Sequence, residues 1–379
     1  MNEPFQYQIG IIGGGLAGLC LSIQAANAGF KTILFEKEAY PFHKVCGEYI
    51  SMESFPFLER LGLPINEWNL PFIKRLEVSA PNGKVHQFPL PLGGFGVSRH
   101  FLDHQLYQLA LKKGVTILTN TRVLHAHFMD DRFDIQTDRG AYYATFVAGS
   151  FGKRSNIDIK LNRTFIQEKT KSLNNYIGVK YHINYPHQED LISLHNFKNG
   201  YCGISKIEDN KSCLCYLTTA QNLHACNNQI KILEEKILFK NPRLEQIFKE
   251  AHFHFKKPLT ISQVSFQEKS SVENHLILLG DAAGLITPLC GNGMSMAMHS
   301  SKILFELIQK YFTNVLGRQE LELAYQSTWH AQFASRLKMG RIIQRFFGNE
   351  QMTGIFLNMM SHLPVIGNKV IASTHGRPY

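Results

Sequence analysis

Six residues near the start of the chain, Gly13-Gly14-Gly15-Leu16-Ala17-Gly18, carry the G-x-G-x-x-G spacing. Alone the string is weak. Here it follows an apolar run over 7–12, opens a helical pattern, and precedes a second apolar run that ends in an acid, Glu36. Each part then has a physical task. Gly13 permits a tight turn, Gly15 lets the backbone approach a pyrophosphate because no Cβ intervenes, and Gly18 lets helix and strand close together. Free N–H groups at the helix start meet the phosphates. The Glu36 carboxylate accepts from the two hydroxyls of an adenosine ribose and repels a 2′-phosphate, so this unit is not built for NADP. A glycine turn without a ligand is the bland alternative, and it leaves the acid unexplained.

That unit does not separate NAD from FAD. The far end of the chain does. The apolar run 276–279 leads into Gly280-Asp281-Ala282-Ala283-Gly284, then Pro288, then Gly291-Asn292-Gly293-Met294. A strand delivering an Asp at its C-terminal end sets a carboxylate beside a polyol. The later glycines bring backbone N–H groups at a helix start towards developing negative charge, as on the N1–C2=O edge of a reduced flavin. An ordinary strand-turn-helix with an N-terminal Asp is the plainer alternative.

With both ends in view, the chain resembles the FAD-dependent oxidoreductases of the p-hydroxybenzoate hydroxylase-fold superfamily, in the geranylgeranyl reductase-like and tailoring monooxygenase branch. The motifs span Ile9 to about Met298. By that resemblance Gly13, Gly15, Gly18 and Glu36 hold the ADP moiety, Asp281 meets the ribityl chain, and the Gly291–Met294 backbone meets the isoalloxazine. Pro41-Phe42-His43-Lys44-Val45-Cys46-Gly47-Glu48 is similar to the branch's P-R-x-K-x-C-G-E/G segment beside the flavin, with Phe42 replacing a common basic residue. Ser98-Arg99-His100-Phe101-Leu102-Asp103 is similar to its S-R-x-x-F/L-D element, which implies a cofactor contact for Arg99. The full implied cofactor set is Gly13, Gly14, Gly15, Leu16, Ala17, Gly18, Glu36, Lys37, Lys44, Cys46, Gly47, Arg99, Val123, Gly280, Asp281, Gly291, Asn292, Gly293 and Met294. Cys46 is also the candidate catalytic residue. A thiol beside a flavin tunes it, shields it or forms an adduct, while a thiol packed into the pocket wall is the plainer role.

The segment Val147-Ala148-Gly149-Ser150-Phe151-Gly152 stands where relatives carry G-A-D-G, and Phe151 replaces the acid. No second G-x-G-x-x-G exists, so NAD(P)H or another reductant is expected to act transiently. Two reactions follow from the resemblance: monooxygenation through a flavin hydroperoxide, or hydride transfer to an alkene. A flavin-binding or electron-transfer protein is the non-catalytic alternative.

Other chemistries find little support. Cys213-x-Cys215 and His252-x-His254 lack further ligands at zinc spacing, so no metal is expected. The hydrolase motif Gly-x-Ser-x-Gly is absent. The net charge is +10, but the Lys and Arg residues are scattered and no nucleic-acid motif occurs, so no nucleic-acid partner is expected. The expected partner is a small hydrophobic or aromatic substrate. Seven Cys at irregular spacing imply free thiols in a reducing compartment, and no signal or membrane-spanning run is legible, so a cytoplasmic enzyme is expected, monomer or homodimer. The stretch Arg336 to Met360 mixes cations with Phe, Ile, Leu and Met. It suits a helix packed on the cofactor domain, with peripheral membrane contact as the alternative.

The elements that must position these residues form an α/β fold: a Rossmann-like FAD-binding domain with an inserted antiparallel-sheet substrate domain and C-terminal helices. Strand, helix and strand over 7–36 make a βαβ unit with parallel strands. Asn82-Gly83 marks a hairpin between 76–80 and 84–88. A helix is expected over 101–112, and strands over 116–118, 123–128, 133–137 and 142–147. Three antiparallel strands are expected within 176–218, separated by turns at Lys198-Asn199-Gly200 and Asp209-Asn210-Lys211. Their walls at 179–181, 194–197 and 201–204 are expected to line a substrate chamber. Helices follow over 227–239, 295–312 and 319–347. At 379 residues, with 44% apolar and 18% charged, two domains are expected. The FAD-binding domain takes 1–75, 97–165 and 265–315; the substrate domain takes 76–96 and 166–264; 316–379 is a helical region.

Overall fold

Ile9, Ile11 and Ile12 are β-branched and buried, which suits a strand covered on both faces. Gln6–Ile12 is that strand, and Leu16–Asn27 is the helix after it. Gly29, at φ +82°, turns the chain out of the helix in a left-handed conformation that favours glycine. The fold is a computed structural model that describes residues 6–167, 175–347 and 350–379. Residues 168–174, within the expected substrate domain, and 348–349, within the basic apolar stretch, lie outside the described residues, as do 1–5.

The first sheet has the order Val272–Glu273, Leu276–Leu278, Gly140–Gly149, Gln6–Ile12, Thr32–Phe35, Thr116–Leu118. Gln6–Ile12 runs parallel to both Thr32–Phe35 and Gly140–Gly149, with Ile9 opposite Thr32 and Phe146. The hairpin Val123–Met129 and Arg132–Thr137 attaches to Gly140–Gly149. Three helices pack here: Leu16–Asn27, Arg99–Lys112 and Gly293–Phe312. Leu19, Leu21 and Ile23 are fully buried, and each such side chain stabilises the fold by roughly 1.5–3 kcal/mol. Arg99–Lys112 starts two residues before the expected Phe101 because the Ser98 hydroxyl caps it, accepting from the Phe101 N–H at 3.1 Å.

The second sheet collects distant pieces: His252–Phe253, Tyr176–Asn184, Ser212–Thr219, Gly200–Lys206, Leu191–Phe197, Phe72–Ser79, Val85–Gly96 and Tyr49–Ser51, with Leu259–Val264 on Tyr176–Asn184. Two expectations are corrected here. The region 176–219 holds four strands rather than three, because the stretch before the 198–200 turn divides into Tyr176–Asn184 and Leu191–Phe197. The sheet is also not wholly antiparallel. Leu191–Phe197 lies parallel to Phe72–Ser79, with Leu194 opposite Val78. A long crossover, not a hairpin, joins that pair, so no turn signal marks its direction.

The sheet's two faces bury different cores. Val179, Tyr181, Phe197, Ile204 and Tyr216 pack under the helices Ile230–Lys236 and Pro242–Glu250. Val78, Phe88, Leu90, Leu194 and Tyr201 face the C-terminal helices Glu350–His362 and Pro364–Thr374. These last two helices were not resolved as elements in the sequence.

Candidate active site

The glycine turn is built as its spacing implies. Gly13 has φ +104°, and a Cβ there would lie 2.6 Å from the Ser150 carbonyl oxygen. A Cβ on Gly18 would meet the Gly13 carbonyl and sit 2.5 Å from Ser150 Oγ. That hydroxyl donates to the Gly13 carbonyl at 2.6 Å, so Ser150 fixes the turn from the next strand. Glu36 is 6% exposed at the end of Thr32–Phe35. Its Oε2 accepts from the Gly14 N–H at 2.8 Å, and its Oε1 accepts from the Glu38 N–H at 3.1 Å. Tyr40 donates to the Gly14 carbonyl. Leu16 and Ala17 are buried inside the helix start, and Val123 is buried at its strand end. Lys37 is exposed beside Glu36, near Glu38.

The first carbon of a side chain at Gly15 would point at Lys44 Nζ and Arg99 Nη2, 3.8 and 3.9 Å away. Both cations are held by one buried carboxylate. Asp103 takes Lys44 at 3.0 Å and Arg99 in a two-pronged pair at 2.7 and 2.8 Å. The far corner reaches the same place. A Cβ on Gly280 would lie 3.7 Å from that of Ala17. Burial pushes the Asp281 carboxyl above its usual range, against the pull of Lys269, Arg99 and Lys153. Lys269 donates to the Asp281 and Lys153 carbonyls at 2.9 and 2.6 Å. Burial holds both Lys269 and Lys153 down to about 8.

Sequence reasoning missed Asp103 as an anchor, and it missed Ser150, Lys153 and Lys269. Asp103 closes the quoted S-R-x-x-F/L-D element. Lys153 follows the segment in which Phe151 replaces an acid, so its charge was a legible signal. The Phe151 ring folds back so that a Cβ on Gly149 would lie 2.6 Å from it.

Cys46 lies beside Met294, sulfur to sulfur 3.7 Å. Its surroundings are deep enough that burial raises the thiol, outweighing the Arg99 charge. Gly47 faces open space. Glu48, fully buried at φ +58°, gathers the segment. Its carboxylate accepts from the Arg99 backbone N–H at 2.7 Å, pairs with Lys180, and meets His182 Nε2 at 2.7 Å. Burial drives the Glu48 carboxyl up, and Lys180 with His182 more than reverses this, so it is held below its ordinary value. Lys180 also donates to the Lys44 carbonyl at 3.1 Å. Cys213 joins this group, donating to the Cys46 carbonyl at 3.3 Å. The Glu48, His182 and Cys213 ligand atoms lie within 4.8 Å of one another. The Lys180 ammonium already supplies the positive charge there, which weighs against a divalent cation.

Gly291, at φ +67°, and Asn292 lead into Gly293–Phe312, the helix whose second residue is Met294. A Cβ on Gly291 would lie 2.8 Å from the Tyr49 ring. Asn292 is buried and donates to the Thr374 carbonyl. Next to Gly291 opens an apolar cavity of about 80 Å³, walled by Leu76, Val78, Phe88, Ile192 and Leu194 and roofed by Phe356, Leu357 and Met360. Of the expected chamber walls only Leu194 lines it; Val179, Tyr181, Phe197 and Ile204 belong to the sheet's other face. Period-two alternation gave the two faces but not which one met the cofactor domain. Tyr49, Thr374 and His375 are the polar residues of its lining. Tyr49 Oη is buried with no hydrogen-bond partner among the described residues, and burial raises its pKa.

The donor set fits a flavin adenine dinucleotide. An acid at a strand end, an open glycine under two cations, and a second glycine corner in contact with the first helix suit a nucleotide, a diphosphate and a polyol in turn. This frame places the chain among Rossmann-like, FAD-dependent oxidoreductases. The chain belongs to the FAD binding domain family, which matches residues 6–334. It is 25% identical over 375 residues to conditioned medium factor receptor 1 of Dictyostelium discoideum, covering 90% of this chain and 70% of the relative. It is 26% identical over 372 residues to digeranylgeranylglycerophospholipid reductase of Methanococcus vannielii, covering 91% and 88%. Its fold matches that of a flavin-dependent brominase with a TM-score of 0.81, at 16% identity, over 98% of this chain and 93% of the other. The expected superfamily and cofactor, FAD, stand on these matches.

Proposed function

We propose that this flavoenzyme reduces a carbon–carbon double bond in an apolar, chain-like substrate. One observation carries the reading: the cavity beside Gly291 is apolar on its walls and roof, and the phenol of Tyr49, packed against Gly291, has no hydrogen-bond partner among the described residues. A lining of Leu, Val, Ile, Phe and Met side chains suits a hydrocarbon guest. The reductase from Methanococcus vannielii adds support, since its name refers to a lipid carrying geranylgeranyl chains.

In this reading Gly13, Gly15, Gly18 and Glu36 hold the adenosine diphosphate, with Lys44 and Arg99 neutralising it. Asp281 takes the ribityl chain, and the Gly291–Met294 backbone takes the ring. Bound flavin, reduced by NAD(P)H or another donor, supplies the hydride. The cavity walls exclude water and align the alkene. Tyr49 Oη carries a proton at neutral pH, as a phenol ordinarily does, and burial binds that proton more firmly. The second alkene carbon takes that proton, and water entering after product release restores it. Cys46 lines the ring pocket as a thiol.

Anaerobic mixing of the reduced holoenzyme with a polyprenyl lipid tests the reading. The expected result is flavin reoxidation with a product heavier by two hydrogens per turnover. Reoxidation only with oxygen, and labelled oxygen in the product, would establish monooxygenation instead.

A further inference from the structure

The helix Glu350–His362 is apolar on two sides. Phe356, Leu357 and Met360 face inward and roof the cavity. Outward stand Met352, Ile355 and Met359, with Leu363 just past the helix end, at 45%, 71%, 40% and 50% exposure. Their spacing puts them on one stripe. Ile342 on the preceding helix, Arg318–Phe346, is exposed as well. Five of the twelve large apolar side chains exposed among the described residues thus fall between 342 and 363. The other seven are spread along 72–323 and need no explanation. A gathered stripe does.

Charge gathers around it. Residues 336–379 hold six Lys or Arg and one acid, Glu350; Arg336 is buried against Glu53 and Arg341 pairs with Glu268. Lys338, Arg345 and Lys369 are exposed. Lys338, Ile342 and Arg345 share a helix face. From the second sheet, Lys84 reaches Asn358 Oδ1 at 3.2 Å.

We propose that this face seats the enzyme on a bilayer surface bearing anionic phospholipid headgroups. Ile355 and Met359 enter the acyl boundary, and Lys84, Arg345 and Lys369 lie among the phosphates. No helix among the described residues is long and apolar enough to cross a membrane, so the seat is interfacial. The same helix closes the cavity, so an apolar chain passes from bilayer to site without crossing water. That passage rests on the reading of the cavity as the substrate chamber; the seat does not.

The test is sedimentation of the FAD-loaded full chain with vesicles of phosphatidylcholine, with and without phosphatidylglycerol. Binding is expected to the anionic vesicles, to weaken at high salt, and to fall roughly tenfold or more in Ile355→Glu/Met359→Glu. The paired change Lys84→Gln/Arg345→Gln is expected to remove the anionic preference. Flavin content and melting temperature check that each variant folds. Three results would overturn the proposal: no vesicle binding, equal binding by the Glu variant, or a dimer in light scattering that Ile355→Glu dissociates. Vesicle binding is read without substrate, so failure of the proposed reaction leaves this result legible.

Discussion

The Cys46 and Met294 sulfur atoms lie 3.7 Å apart, though 248 positions separate them in the chain. The contact joins the cysteine-bearing segment to the helix that starts at Gly293, and it sets a soft, polarisable wall beside the expected flavin ring. The thiol there is raised by burial. At neutral pH Cys46 is therefore expected to alkylate more slowly with iodoacetamide than free cysteine does. Mass spectrometry of the timed reaction measures this, and faster labelling would restore a thiolate role.

Gly18 has no room for a side chain against Gly13 and Ser150. Gly18→Val is expected to lower FAD affinity by at least about tenfold, or roughly 1.4 kcal/mol. Flavin retained after gel filtration, read by visible absorbance, checks it. Retention equal to the parent would remove the turn from the cofactor site.

Asp103 anchors both cations that face Gly15. Removing Asp103 leaves Arg99 and Lys44 without their shared carboxylate, and Arg99→Met removes one cation while keeping bulk. Arg99→Met is expected to weaken FAD binding with a smaller loss in melting temperature than Asp103→Ala, which breaks a buried charge network worth about 3–5 kcal/mol. Paired FAD titration and thermal melts separate the two effects.

Tyr49→Phe keeps the ring that covers Gly291 and deletes the phenolic proton. If Tyr49 protonates the alkene, product formation is expected to fall about 10²–10⁴-fold, with flavin content unchanged. The solvent deuterium effect on that step is expected to change with it. An unchanged rate would assign the proton to another group.

Acid sensitivity follows from Glu48 and His43. The Glu48 carboxyl is held below its ordinary 4.5, so its stabilisation is complete above that value and lost as pH falls through the lower folded one. Burial, with His100, lowers His43 from 6.5 to about 4. Protons therefore favour the unfolded chain between those values, and stability from this group also falls as pH drops from 6.5 towards 4. Glu48→Gln is expected to lower the melting temperature at neutral pH and to flatten its dependence on pH below about 4.5. Melting curves across pH 3 to 8 would show it; a parallel shift at all pH values would refute the assignment.

Much of the glycine-turn frame was legible because local sequence dictates it. Gly13, Gly15 and Gly18 state a turn geometry that few other residues satisfy, and Glu36 and Asp281 sit at strand ends set by short apolar runs. The cavity was less legible. Its roof comes from Phe356, Leu357 and Met360, whose helix is apolar on both sides and so gives no clear face. Tyr49 stands three residues beyond Cys46 without any motif of its own. The Glu48–Lys180–His182 cluster depends on tertiary pairing across more than 130 positions, and local spacing carries no trace of such a meeting.

The chain crosses between the two sheets four times, from 6–35 to 49–96, back to 116–149, out to 176–264, and home to 272–278. Neither half is a continuous stretch, so no single proteolytic cut releases a unit that holds all its own strands. Recombination faces the same obstacle: no contiguous block carries all of one sheet and none of the other. Exchanging the cavity's sheet walls while keeping the first sheet therefore takes two blocks, 49–96 and 176–264, moved together.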